Sequence, residues 1–161
     1  MIFSRESYNY NEMENNDFID VTKVDEQGVD MEEYNCGGFA LNTRTWYHPY
    51  GNQPTFIDMF TLIERHGKTA LLKKFVQNLL SDFPNLRLLK DINDLKSFET
   101  LILFRIGDDD FHFVRREYGK YYHKTGWIPE IFEMEEEEAF GSYWCHGKYD
   151  SEIIMFGFNE N

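Results

Sequence analysis

The sequence predicts an α+β fold, with helices in the first half and strands in the second. Two observations carry this. Apolar residues recur at helical spacing between Cys36 and Phe83, and beyond Pro84 the period shortens to that of strands. A third is that no internal repeat divides the 161 residues, which fit one ordinary domain.

Taken in order, residues 1–33 are polar, acidic and rich in Asn and Glu. They read as a polar N-terminal arm with one short edge strand at residues 18–24, and residues 34–161 as a single domain. Asn35 is a good N-cap, and Phe39, Ala40, Thr43, Trp46 and Tyr47 follow at helical spacing, which predicts a helix from Cys36 to Tyr47. The Pro and Gly of residues 48–54 mark a loop. Phe56, Ile57, Phe60 and Ile63 form one stripe up to Gly67. Leu71, Leu72, Phe75, Val76, Leu79 and Leu80 form a second, ending near Phe83-Pro84.

Beyond Pro84, strands are expected at Leu86–Leu89, Thr100–Ile106 and Ile153–Phe158. Asp110–Arg116 and Lys120–Lys124 read as the arms of a hairpin turning at Tyr118-Gly119. Glu135–Glu138 reads as a solvated helix end or loop.

Composition narrows the function classes. Fifteen Phe and ten Tyr require a packed interior. A net charge of −13 repels nucleic-acid phosphate, so direct DNA or RNA binding is not expected, whereas a protein partner with a basic surface would be drawn in. Trp46, Tyr50, Trp127 and Trp144 are candidate anchors for such a partner, or core residues. No apolar run is long enough to span a bilayer, and the first residues do not read as a signal peptide. Two cysteines make no disulfide framework, which points to a reducing cytoplasm.

Three residues could carry chemistry: Cys36, His112 and His123. Cys36 falls at the first turn of a helix, where unpaired N–H groups and the helix dipole favour a thiolate. Gly37 and Gly38 are poor helix formers, and their smallness would admit a substrate carbonyl to backbone N–H groups near Asn35, Gly37 and Gly38. On the hairpin, a two-residue loop would put His112 and His123 on one face as diagonal neighbours, and a three-residue bulged loop would put them on opposite faces. One imidazole could then act as base and the other orient it.

Cys36, His112, His123 and Cys145 could form a Cys2His2 zinc set. No two of them have the close spacing of a finger or ribbon, so neither a metal site nor a cofactor is expected. Cys145-His146 is a further pair, but adjacent strand residues point to opposite faces.

The order of nucleophile on a helix, base on a strand and orienter on the next strand resembles the papain-like superfamily, especially its NlpC-type cell-wall peptidases. Tyr34-Asn35-Cys36-Gly37-Gly38-Phe39-Ala40-Leu41, Asp110-Phe111-His112-Phe113-Val114-Arg115 and Tyr122-His123-Lys124-Thr125-Gly126 also resemble small phage and gut-bacterial proteins. Those commonly read NCxGxAL, DxHFxR and WxHKxG; the similarity covers roughly residues 34 to 126 and brings no established activity. The resemblance implies a papain-like (NlpC-type) fold with N-terminal helices on an antiparallel sheet, in the cytoplasm of a bacterium or phage host. The chain lacks the Asp-Cys-Ser-Gly and His-Val-Gly motifs and the export signal of the cell-wall enzymes, so a peptidoglycan substrate is not implied.

The resulting expectation is a cysteine hydrolase or acyl transferase acting on an amide, isopeptide or ester. Cys36 attacks, His112 moves the proton and His123 orients His112. The alternative is a catalytically inactive acidic protein on the same scaffold that binds and inhibits a basic host enzyme such as a nuclease.

Overall fold

In a computed structural model, the structure describes residues 9–10, 23–51 and 58–161. Six antiparallel strands form one sheet: β3 (Leu86–Leu89), β4 (Thr100–Ile106), β5 (Phe111–Glu117), β6 (Lys120–Lys124), β7 (Ile131–Met134) and β8 (Ile154–Phe158). Their order across the sheet is β3-β8-β4-β5-β6-β7, so β8 lies between β3 and β4. The two-residue strands β1 (Asn9–Tyr10) and β2 (Lys23–Val24) pair separately. Of the expected strand at residues 18–24, only its end is seen; residues 18–22 lie outside the described residues.

Side-chain alternation divides the sheet into two covered faces. Ile102, Phe104, Ile106, Phe111, Phe113, Tyr122 and Phe156 face the helices α1 (Cys36–Ala40), α2 (Met59–His66) and α3 (Lys68–Asp82). Leu101, Leu103, Val114, Tyr121 and Met134 face the other way, against Ala139, Trp144 and Tyr149. That second layer is irregular apart from α4 (Glu136–Ala139), which contains most of the acidic run. Covering both faces explains why β4 reads as a continuous apolar run rather than an alternating one.

The mixed helix and antiparallel-sheet class agrees with the sequence, and α3, β3, β4 and the hairpin fall where the pattern puts them. Two expectations need correction. The first helix is five residues long and ends at Ala40 instead of Tyr47. The Gly38 carbonyl takes the Thr43 and Arg44 amides, and Asn42 and Arg44 turn left-handed at φ 57° and 56°, so the chain folds back rather than continuing. In α2, Met59 and Leu62 are the buried residues and Phe60 is 58% exposed; Phe56 and Ile57 lie outside the described residues. Before α1, Met31 is fully buried, and buried Asp25 accepts from the Tyr34 hydroxyl at 2.8 Å.

Among the described residues, no helix is long and apolar enough to cross a membrane.

Candidate functional site

Cys36 is the first residue of α1, as the N-cap signal predicts. The Asn35 side chain fixes this start. Its Oδ1 accepts from the Gly38 and Tyr47 amides, both at 3.0 Å, and its Nδ2 donates to the Tyr47 carbonyl at 2.5 Å. At the other end of α1, buried Arg115 donates to the Ala40 carbonyl at 2.9 Å. Such a short helix contributes little stability itself, so these clamps set the position of the thiol.

Lys124 is the next support. On β6 it shares the helix-side face with Tyr122, and it is completely buried. Its ammonium donates to the carbonyls of Tyr34 at 2.6 Å and Gly126 at 2.5 Å and lies 5.0 Å from the centre of the Tyr34 ring. Burial pulls its pKa down to about 8, and the thiolate form of Cys36 pulls the other way. In the sequence, the one signal of this role is a charge at an inward alternation position of a strand.

The hairpin resolves the register left open by the sequence. Glu117 pairs with Lys120, Arg116 with Tyr121 and Arg115 with Tyr122, which is the two-residue loop. Tyr118 and Gly119 both have positive φ, 52° and 79°, as a type I′ turn requires. His112 and His123 consequently share a face, and His112 Nε2 lies 2.9 Å from His123 Nδ1. Tyr149 stacks on His112 at 4.8 Å between ring centroids, and the Trp144 ring meets it edge-on at 6.0 Å. Burial pushes the pKa of both imidazoles down: His123 to about 4, and His112 well below its ordinary 6.5, helped by the neighbouring His123.

Cys36 comes from the helix side of the sheet, whereas His112 shares the opposite face with His123. Cys36 and His112 both line a cleft of about 210 Å³, together with Trp46, His48, Asp110 and Tyr149. The thiol points at the Phe111 carbonyl, 4.0 Å from Sγ, and not directly at an imidazole. Burial pushes the Cys36 pKa up to about 12 and outweighs the amides of Phe113 and Gly37, which favour the thiolate. Both shifts favour a neutral thiol and a neutral imidazole lining the same cleft. Fast thiolate chemistry of Cys36 relative to Cys145, as a helix terminus alone would suggest, does not follow from this environment. Cys145 is also shifted upward by burial, but it is half-buried where Cys36 is only 4% exposed.

The glycines serve the fold. A Cβ on Gly38 would lie 1.9 Å from the Thr45 carbonyl oxygen, and one on Gly37 would meet the Tyr47 and Phe113 rings at 3.0 and 3.3 Å. The Gly38 amide is already donated to Asn35, and the Gly37 amide is directed at the Cys36 sulfur. Of the candidate anchors, Trp46 and Trp127 are exposed, while Trp144 is wholly buried.

The four-residue zinc set does not assemble as a unit. His112 and His123 are joined by Cys145, with ligand atoms all within 4.8 Å of one another, and Cys36 stands outside that group. Cys145 and His146 are not on a strand; both turn left-handed, at φ 53° and 57°. Comparison of the chain with protein-family models, curated proteins and solved structures finds no match.

Proposed function

We propose that the chain is a thiol-dependent hydrolase or acyl transferase of papain-like (NlpC-type) architecture, acting on an amide, isopeptide or ester bond of a peptide or protein inside a bacterium or phage host. The observation that carries this reading is the cleft shared by Cys36 and His112, with the far nitrogen of His112 already held by His123. Because Nε2 is engaged by His123, Nδ1 is the nitrogen left to serve the cleft. The tautomer that makes His112 a base carries its proton on Nε2, donated to His123 Nδ1.

In the acylation step, Sγ of Cys36 bonds to the substrate carbonyl carbon and its proton passes to His112 Nδ1. The C–N or C–O bond then breaks as that proton moves to the leaving amine or alcohol, and a thioester remains. Water attacks the thioester, gives a proton to His112, and the thiol is restored when that proton returns to sulfur. An amine or alcohol in place of water completes acyl transfer. His123 is a positioning residue: its bond to Nε2 becomes charge-assisted when His112 is protonated. The Lys124 ammonium supports negative charge on sulfur, and the Gly37 amide is placed to steady it.

The test is turnover of a panel of fluorogenic peptide amides and aryl esters, with mass-spectrometric labelling of the native protein by iodoacetamide. Cys36→Ala and His112→Ala are expected to lose at least about 100-fold in rate with the melting transition retained. Since His112 is buried, His123→Gln provides a milder variant, expected to lose about tenfold. Wild-type turnover no faster than that of Cys36→Ala, together with no labelling of Cys36 in the folded protein, would end the reading. Full biological effect in Cys36→Ala, with loss on charge reversal of Glu135–Glu138, would favour the acidic binder of a basic host enzyme instead.

A further inference from the structure

Cys145 takes no part in the chemistry above, yet it is held beside both imidazoles. Its loop is closed by reciprocal backbone hydrogen bonds between Trp144 and Tyr149, at 2.9 and 3.3 Å. Trp144 is buried and donates its indole N–H to the Ala139 carbonyl at 2.9 Å, and Tyr149 stacks on His112. Buried Arg105 fastens the same layer, donating to the carbonyls of Gly141 and Ser151 at 2.7 and 2.8 Å and also to that of Ser142. Between the two anchors, Cys145, His146 and Gly147 are consecutively left-handed, a conformation that costs non-glycine residues energy. The result is a thiol presented to the His112–His123 pair, with the three ligand atoms mutually within 4.8 Å.

We propose that His112, His123 and Cys145 bind a single zinc-class divalent cation on the sheet face away from Cys36. Two imidazole nitrogens and one thiolate suit a borderline-soft ion and leave one of four positions for water or another ligand. Nitrogens bound to one tetrahedral zinc are about 3.3 Å apart, given Zn–N bonds of about 2.0–2.1 Å. The observed 2.9 Å is close to that, and the His–His hydrogen bond would give way to the ion. Neutral imidazoles are the form that ligates, and binding releases the Cys145 proton. The binding itself does not depend on the hydrolase reading. Its consequence does: with the cation on Nε2, His112 carries its proton on Nδ1 and cannot accept one from Cys36. Occupancy would therefore switch the thiol chemistry off.

The experiment is titration of the reduced, chelator-stripped full chain with Co²⁺ and then Zn²⁺, read by absorption and by proton release. The expected result is one equivalent of Co²⁺ with tetrahedral visible bands and a thiolate-to-cobalt charge-transfer band, displaced by one equivalent of Zn²⁺. Cys145→Ala should abolish the charge-transfer band and weaken Zn²⁺ binding at least about tenfold, while Cys36→Ala keeps both. Cys145 lies in a half-buried turn, so this variant tests the site without emptying the core; His123→Ala is the second variant. Unchanged binding in Cys145→Ala, loss in Cys36→Ala, or several weak equivalents without the charge-transfer band would overturn the proposal. The cobalt spectrum needs no substrate, so a protein without hydrolase activity can still pass this test, and an active one can still fail it.

Discussion

On the helix side of the sheet, regular elements close the core: apolar stripes of α1, α2 and α3 meet Phe104, Phe111 and Phe113. On the other side, the chain from Ala139 to Tyr149 covers the sheet with hardly any regular structure, fixed instead by the Arg105 guanidinium, the Trp144 indole and the stack of Tyr149 on His112. The helix side needs shape, which many apolar residues can supply. The other side needs particular donors and acceptors, and a buried partner left unmatched is expensive. Cys36 belongs to the first construction and the imidazole pair to the second, so the candidate site exists only where the two meet.

The sharpest way to break this comparison uses one glycine from each side. Alanine at Gly38 would put Cβ 1.9 Å from the Thr45 carbonyl oxygen, and alanine at Gly107 would put it 1.8 Å from that of Lys148. Each substitution is expected to cost about 3 kcal/mol in urea unfolding. Their local effects should differ: Gly107→Ala loosens the loop that presents Cys145, and Gly38→Ala exposes Cys36 to iodoacetamide. A Gly107→Ala protein as stable as wild type would mean that the irregular layer is not packed on the sheet.

A smaller effect separates the two thiols. The Cys36 pKa is raised from 9.0 to about 12 in the folded chain, so the unfolded chain gives up that proton first. The associated stability is complete below pH 9 and is lost as pH rises toward 12. Tyr50, raised from 10.0 to about 12, acts in the same sense at higher pH. Lys124, lowered from 10.5 to about 8, acts in the opposite sense over the same range, so the reading lies in the difference between variants: from pH 8 to 10 the urea midpoint should fall more, or rise less, in the wild type than in Cys36→Ala, with Cys145→Ala close to wild type. Equal flattening in both variants would mean that burial does not distinguish the two cysteines.

The smallest effect concerns the hairpin that joins the two constructions. Tyr118 is 76% exposed and left-handed at φ 52°, a conformation asparagine adopts more easily. Tyr118→Asn is expected to stabilise by about 0.5 kcal/mol, read as a rise in melting temperature, without moving the His112–His123 pair. A loss of stability would show that the Tyr118 ring contributes more than the turn does.

The same division explains what could be read in the sequence. Periodicity places α3, β4 and both arms of the hairpin, because local spacing and core contact agree there. It overruns α1, since the stop comes from backbone bonds to the Gly38 carbonyl and from left-handed Asn42 and Arg44, which carry no apolar signature. It misassigns Phe60, because the apolar stripe omits Met59 and Leu62, the residues that α2 turns inward. At the site, Cys36, His112 and His123 stand out as residue types, but their electrostatics depend on depth, which spacing does not report. The part played by Cys145 is less visible still. It reaches the imidazoles through a loop whose position is set by the partners of Arg105, Trp144 and Tyr149, each distant in sequence.

The central place of β8 has a consequence in time rather than in energy. Ile154–Phe158 pairs with β3 on one side and β4 on the other, so neither strand can be joined to the other until residues 154–158 have been synthesised. Before then a nascent chain carries unpaired edges at β3 and β4, the condition in which strands recruit wrong neighbours. The β5–β6 hairpin is under no such delay, because its pairing is local and closes early. The two imidazoles can therefore come together on the growing chain before the layer that buries them has been made.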